Sequence, residues 1–246
     1  MNKLHYDENG YIINTSLWEI EEQNDAREYI DGCDIVLEIG GRYGTVSTII
    51  NNYLNNKKNH VVVEPDNTVI NALLRNRDEH NCEFKIYNGI ITNRKTNVKI
   101  NPGGYGTTTI ESDDGSSGID KITYKDLCHK YNLMFNTLVV DCEGCFCDVL
   151  DSIGDDIVNF NKIFLELDQV HLCNYNDVEK KLSKHFYKIK SGFHSIYINK
   201  NSAIYHRTEN NSNIILFSCL LSLFILILSI IIFAIYTPVQ SSLGSK

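Results

Sequence analysis

Short apolar, β-branched runs recur along the first 200 residues, each followed by a stretch whose apolar positions fall three and four apart. The runs predict strands at 35–39, 61–64, 84–87, 137–140 and 162–167. The amphipathic stretches predict helices at 45–54, 67–77, 123–131, 146–153 and 176–185, after an opening helix from Ser16-Leu17-Trp18 through Ile30. A final alternation over 186–198 reads as a closing hairpin about Ser191-Gly192. Strand and helix in alternation predict an α/β domain: a mainly parallel sheet, helices on both faces, and a site at the carboxyl ends of the strands. Residues 101–120, PGGYGTTTIESDDGSSGID after Asn101, break the pattern and read as a loop.

A different pattern begins at residue 214. The run IILFSCLLSLFILILSIIIFAIY, 214–236, holds no charge and is long enough to cross the ~30 Å hydrocarbon layer as one transmembrane helix. The chain therefore divides into an N-terminal segment (1–34), a domain (35–200), a polar linker (201–213), the C-terminal transmembrane helix (214–236) and a short tail (237–246). The N-terminus has no apolar core of a signal peptide. Lys200 and Arg207 flank the near side of the anchor, and Lys246 the far side, so the expected location is single-pass in a membrane with the soluble domain cytoplasmic.

Composition narrows the partners. A net charge of −8 argues against nucleic acid, which calls for a basic stripe. The eight cysteines lie in a medium-sized chain without an export signal, so reduced thiols are expected. Cys142, Cys145 and Cys147 have metal-like spacing, but a structural zinc site needs four ligands and no second pair is evident, even counting His171 and Cys173.

The most informative stretch is Ile35-Val36-Leu37-Glu38-Ile39-Gly40-Gly41-Arg42-Tyr43-Gly44. A buried strand ends in a carboxylate and turns through glycines, where backbone can approach a small ligand and Glu38 can accept from its amine or hydroxyl. The dinucleotide fingerprint would need glycine at 42 and 45, where Arg42 and Thr45 stand. Glu64, at the end of the next strand, has the spacing of an acid that holds ribose hydroxyls. An acid, a glycine turn and a ribose acid without a phosphate cradle point to S-adenosylmethionine rather than NAD, with Glu38, Gly40, Gly44 and Glu64 as the binding residues. The bland alternative is a capped turn with ordinary loop glycines.

The stretch Leu138-Val139-Val140-Asp141-Cys142-Glu143-Gly144, continuing to Val149-Leu150, resembles the Asp-x-Glu-Gly-x-x-x-x-Val-Leu signature of FkbM-type methyltransferases. Thr123-Tyr124-Lys125-Asp126-Leu127 is similar to that family's Thr-Leu-Asp-Asp-Leu run, residues 38–44 to its Asp-x-Gly-Ala-Asn-x-Gly turn, and Ile163-Phe164-Leu165-Glu166-Leu167 to its strand ending in Ile-Glu. Glu38 stands in place of aspartate and Arg42 in place of asparagine. The likeness spans about residues 35–168. It implies a class I methyltransferase Rossmann-like fold, S-adenosylmethionine as cofactor, and O-methylation of a hydroxyl on a sugar or small metabolite. The alternative is a membrane-tethered scaffold that kept the fold without turnover.

Transfer to a hydroxyl needs alignment, exclusion of water and a base, which makes Asp141 and Glu143 the candidate catalytic carboxylates. Their alternative role is to cap the following helix. Mg²⁺ is not the favoured cofactor; if Asp141, Glu166 and Asp168 converge, they could hold it and orient a diol. His171 is another candidate base. The expected partners are a small-molecule or glycan hydroxyl acceptor and, through residues 214–236, a lipid bilayer.

Overall fold

The computed structural model describes residues 4–100, 107–111 and 118–202. Residues up to Asn201 form one compact unit. Its centre is a seven-stranded sheet of β1 (Val36–Ile39), β2 (His60–Val63), β3 (Lys85–Tyr87), β4 (Thr137–Val140), β5 (Lys162–Glu166), β6 (Phe186–Lys190) and β7 (His194–Asn199), in the order 3-2-1-4-5-7-6. β1 to β5 pair in parallel. β7 runs antiparallel between β5 and β6. The hairpin expected at 186–198 is thus present, with its second strand inserted next to β5.

Side chains alternate across the strands, so each parallel strand is apolar on both faces. Leu37, Ile39, Val61, Val63, Leu138, Val140, Ile163 and Leu165 face a core shared with α4 (Tyr124–Tyr131), α5 (Phe146–Ile153) and α6 (Tyr175–Leu182). On the other face, Val36, Val139, Phe164 and Ile196 meet Ala26 of α1 (Ile20–Tyr29) and Ile50 of α2 (Ser47–Tyr53). There too Val62 meets Leu73 of α3 (Ile70–Glu79). Helices therefore cover both faces.

The N-terminal residues take part in this core. His5–Tyr6 pairs antiparallel with Ile12–Ile13, and Asn76 on α3 accepts from the Tyr6 N–H and donates to the Tyr6 and Tyr43 carbonyls. α4 begins at a Thr123 cap whose hydroxyl accepts the Asp126 N–H, as Ser and Thr do at helix starts.

Two expectations are corrected. The stretch 101–120 is not simply a loop: Thr107–Glu111 pairs antiparallel with Thr96–Ile100, and the run of β-branched threonines supplies the strand propensity. The thiols are not all reduced. Cys142 and Cys145 are joined across the turn that precedes α5, and Cys147 on α5 is joined to Cys173 before α6, with Cα atoms 5.5 and 5.3 Å apart. Both separations lie within ordinary disulfide geometry. The transmembrane segment expected at 214–236 lies outside the described residues, and among those described no helix is long and apolar enough to cross a membrane.

Candidate functional site

A crevice opens where β1 and β4 end side by side, the point at which the strand order reverses and where open α/β sheets bind ligands. Its apolar wall includes Ile39, Val46, Ile50, Ile90, Ile91 and Phe164. Its polar lining is acidic: Glu19, Glu22, Asp25, Glu38, Glu64, Asp141, Glu143, Asp148 and Glu166, against Arg42 and His194.

The glycine turn forms one side. Gly40 has φ +91° and Gly44 φ +80°, values that favour glycine. A β-carbon on Gly40 would lie 1.6 Å from the Asp141 carbonyl oxygen, and one on Gly41 would lie 2.2 Å from Val62 Cγ1. In this structure these glycines let the ends of β1, β2 and β4 close on one another. Glu64 locks the turn. Its Oε2 accepts the Gly41 and Arg42 N–H groups at 3.1 and 2.7 Å, and its Oε1 accepts the Asp66 N–H at 2.8 Å. Burial pushes the Glu64 carboxyl up, against the lowering effect of these amides. A carboxylate offers about four acceptor positions, so roughly one remains for a ligand.

Glu38 is buried and its Oε2 lies 2.9 Å from His60 Nε2, an interior pair that takes up one carboxylate oxygen. Arg42, with φ +36°, directs its guanidinium to Tyr43, whose ring lies 4.9 Å away, and towards Asp66 at 3.8 Å.

The other side is built from the ends of β4, β5 and β7. Asp141 follows β4, and its N–H donates to the Ile39 carbonyl, holding it beside the glycine turn. Its carboxyl is driven well above the usual range by burial and by a hydrogen bond with Glu166, the last residue of β5. Asp168 Oδ1 accepts from the Gly144 N–H and the Tyr175 hydroxyl, both at 2.9 Å, while its enclosed Oδ2 has no hydrogen-bond partner. Burial raises Asp168 to about 6. Glu143 takes a left-handed backbone (φ +54°) and accepts from Gln169 at 3.0 Å; α5 starts beyond it at Phe146, after an N-cap Cys145 that makes no side-chain capping bond.

Glu22 on α1 and His194 at the start of β7 complete this side, with Nδ1 and Oε1 3.1 Å apart. Burial raises Glu22 to about 7, helped by Glu166 and Asp25. The sequence reading missed both residues. Asp141, Glu166 and Asp168 do converge, their oxygens within 4.8 Å of one another. His171 is not among the lining residues of the crevice.

No protein-family model matches the chain, the FkbM family included, and no curated protein matches it. Among solved structures it is similar to a protein assigned as an RNA methyltransferase from Pyrococcus horikoshii, with 10% identity, 74% of this chain and 82% of that one covered, and a TM-score of 0.41. It is also similar to one assigned as an O-methyltransferase from Klebsiella pneumoniae, with 8% identity, coverage of 73% and 86%, and a TM-score of 0.41. A third is TYW2 from M. jannaschii, solved with AdoMet, with 10% identity, coverage of 76% and 78%, and a TM-score of 0.39. At such scores the likeness does not identify a relative. The chain's own sheet order, with the antiparallel β7 between β5 and β6 near one edge of a doubly wound sheet, fits a methyltransferase-type Rossmann-like fold.

Proposed function

We propose that the chain is an S-adenosylmethionine-dependent methyltransferase of FkbM type that methylates a hydroxyl on a sugar or small metabolite. One observation carries the reading: an acid-lined, apolar-walled crevice at the switch point between β1 and β4, with a raised carboxyl, Asp141, at its centre. Such a lining suits a cationic ligand. Glu38, Gly40, Gly44 and Glu64 would hold the cofactor: the glycines shape the turn, Glu64 offers its remaining acceptor position to a ribose hydroxyl, and Glu38 keeps one oxygen free of His60. When bound, the cofactor would supply an electrophilic methyl group.

The chain's own residues supply the rest. Asp141 hydrogen-bonds with Glu166, and burial drives its carboxyl well above the ordinary range, which makes its carboxylate a stronger base for a hydroxyl than an ordinary one. Glu143, held by Gln169, would orient the acceptor. The apolar wall excludes water, and the acidic lining disfavours anionic acceptors and nucleic acid.

Residues 214–236 would tether the protein to a bilayer, with the soluble domain cytoplasmic as the flanking charges imply. The two disulfides favour the opposite face, since such bonds persist in oxidising compartments. Alkylation of the intact protein in cells followed by mass spectrometry separates the two: blocked Cys142, Cys145, Cys147 and Cys173 would mean the oxidising side.

A second reading is a tethered scaffold without turnover. The engagement of Glu64 by three backbone amides favours it, because this is the acid on which the ribose would depend. Calorimetry of the full chain with S-adenosylhomocysteine and with NAD decides between them. Micromolar binding of the first alone supports the methyltransferase, and binding of neither leaves the scaffold. A panel of sugar and small hydroxyl acceptors then tests transfer.

A further inference from the structure

Most acids around the crevice have a partner that neutralises or solvates them. Glu38 has His60, Asp25 has Lys190, Asp148 has Arg94, and Glu64 has three amides. Glu22, Asp141 and Glu166 differ, and beside them Asp168 has one oxygen held by the Gly144 N–H and the Tyr175 hydroxyl and the other without a partner. They gather at the ends of β4 and β5 and against α1, hydrogen-bond or repel one another, and the ion pair within the group is that of Glu22 with a single imidazole, His194. Four carboxyls at close quarters in a partly dry site must carry extra protons or be met by a cation.

We propose that Glu22, Glu166 and His194 form a binding site for a divalent transition cation at the mouth of the crevice. One donor atom from each lies within 4.8 Å of the other two. The donors come from α1, β5 and β7: Glu166 and His194 stand opposite each other across the β5–β7 pairing, and α1 brings Glu22 to His194. Metal–donor distances of about 2.0–2.2 Å put neighbouring donors roughly 3 Å apart, so side-chain rotation suffices to close the set. The His194 and Glu22 side chains are 14% and 16% exposed, which leaves a path for the ion and room for water ligands. Asp141 hydrogen-bonds to Glu166 and would hold that ligand in place, the usual office of a group behind a metal ligand. One nitrogen and two carboxylate oxygens suit manganese, iron or zinc better than magnesium. Glu166 also belongs to a second set, with Asp141 and Asp168, whose donor atoms lie within 4.8 Å of one another. The inference stands on the first set and not on the methyl-transfer reading.

The test is Mn²⁺ binding to the full-length chain in detergent, followed by the loss of the free-ion electron paramagnetic resonance signal, without cofactor present. Wild type should bind one equivalent. Glu22→Gln and His194→Gln should each weaken binding by about 10-fold or more, while Asp168→Asn should change it by less than about threefold. Thermal unfolding in chelator shows whether each variant is folded, and the two ligand variants serve as checks on one another. Absence of binding by wild type would overturn the proposal. So would binding that survives both ligand variants but is lost in Asp168→Asn, which would put the ion among Asp141, Glu166 and Asp168 instead. Separate calorimetry with S-adenosylhomocysteine keeps the fate of the cofactor reading distinct.

Discussion

The two sides of the crevice handle buried charge in opposite ways. On the β1–β2 side each acid is satisfied locally: Glu38 by His60, Glu64 by three amides, and Asp66 by the N–H and hydroxyl of Thr68 as well as by Arg42. On the β4–β5–β7 side Asp141, Glu166, Asp168 and Glu22 crowd together around one histidine. The first arrangement gives each acid fixed donors of its own. The second stores unfavourable electrostatics, which is how a fold retains groups able to take a proton or bind an ion.

The largest effect is expected on the β1–β2 side. Gly40→Val should cost about 4–5 kcal/mol, because its β-carbon would collide with the Asp141 carbonyl, a backbone atom that cannot swing away. Thermal unfolding should show the loss even without ligand; a normally stable variant that merely fails to bind would mean the turn is open to ligand after all. On the charged side, Asp141→Asn should leave the fold intact, or stabilise it, and lower methyl transfer about 10²-fold or more. Unchanged turnover would remove Asp141 from the chemistry.

Glu64→Gln comes next. An amide cannot accept all three backbone N–H groups, so stability should fall by about 2 kcal/mol and S-adenosylhomocysteine binding should weaken with it. Retained stability in urea titration would show that the carboxylate's anchoring role is overstated. The smallest effect is in pH dependence. The folded-state values of Glu22, about 7, and Asp168, about 6, lie above their ordinary ones. Their contribution is therefore fully present below about pH 4 and is lost as pH rises through 6 to 7. His5, lowered to about 4 by burial and by His80, acts in reverse: its contribution is full above its ordinary value of 6.5 and is lost as pH falls toward 4. Between pH 6.5 and 8, in chelator, the loss from Glu22 and Asp168 outweighs the gain from His5, so stability should decline by roughly a few tenths of a kcal/mol after solvent screening, and Glu22→Gln should remove the decline. An equal slope in that variant would point to another group.

Much of the fold was legible because parallel strands advertise themselves. Thr137–Val140 and Phe146–Ile153 fall where the apolar run and the amphipathic run predict them. Thr107–Glu111 went unread because glycine and serine around it outweighed its threonines. The acid-bearing ends of strands were also legible, since strand ends bearing carboxylates are local features. What those acids touch was not. Glu38 reads in sequence as a ligand contact and does line the crevice, but its pairing with His60 on the neighbouring strand was not legible. Gly40 lines the crevice as its turn implies, but the close approach of the Asp141 carbonyl to where its β-carbon would lie, about a hundred residues away in sequence, was not legible. Glu22 and His194 were invisible because one sits on an amphipathic helix and the other opens a hairpin strand. The insertion of β7 beside β5 brings His194 to Glu166, and the packing of α1 brings Glu22 to His194. The cysteine pairs failed for a related reason: compartment statistics spoke for thiols, while the turn before α5 supplied the proximity.

The bond between Cys147 and Cys173 has a consequence for the unfolded chain. It joins residues 26 apart in sequence and closes a covalent ring that contains β5 together with Glu166 and Asp168. A ring of that size removes conformational freedom from the denatured ensemble worth roughly 3–4 kcal/mol in the chain-entropy view. The ring cannot be opened by unfolding, so a denatured molecule still carries two of the crowded acids on a short tether to the start of α5. Refolding then begins with part of the crevice already confined to its neighbourhood, and a single proteolytic cut inside the ring leaves both pieces attached until a reductant is added.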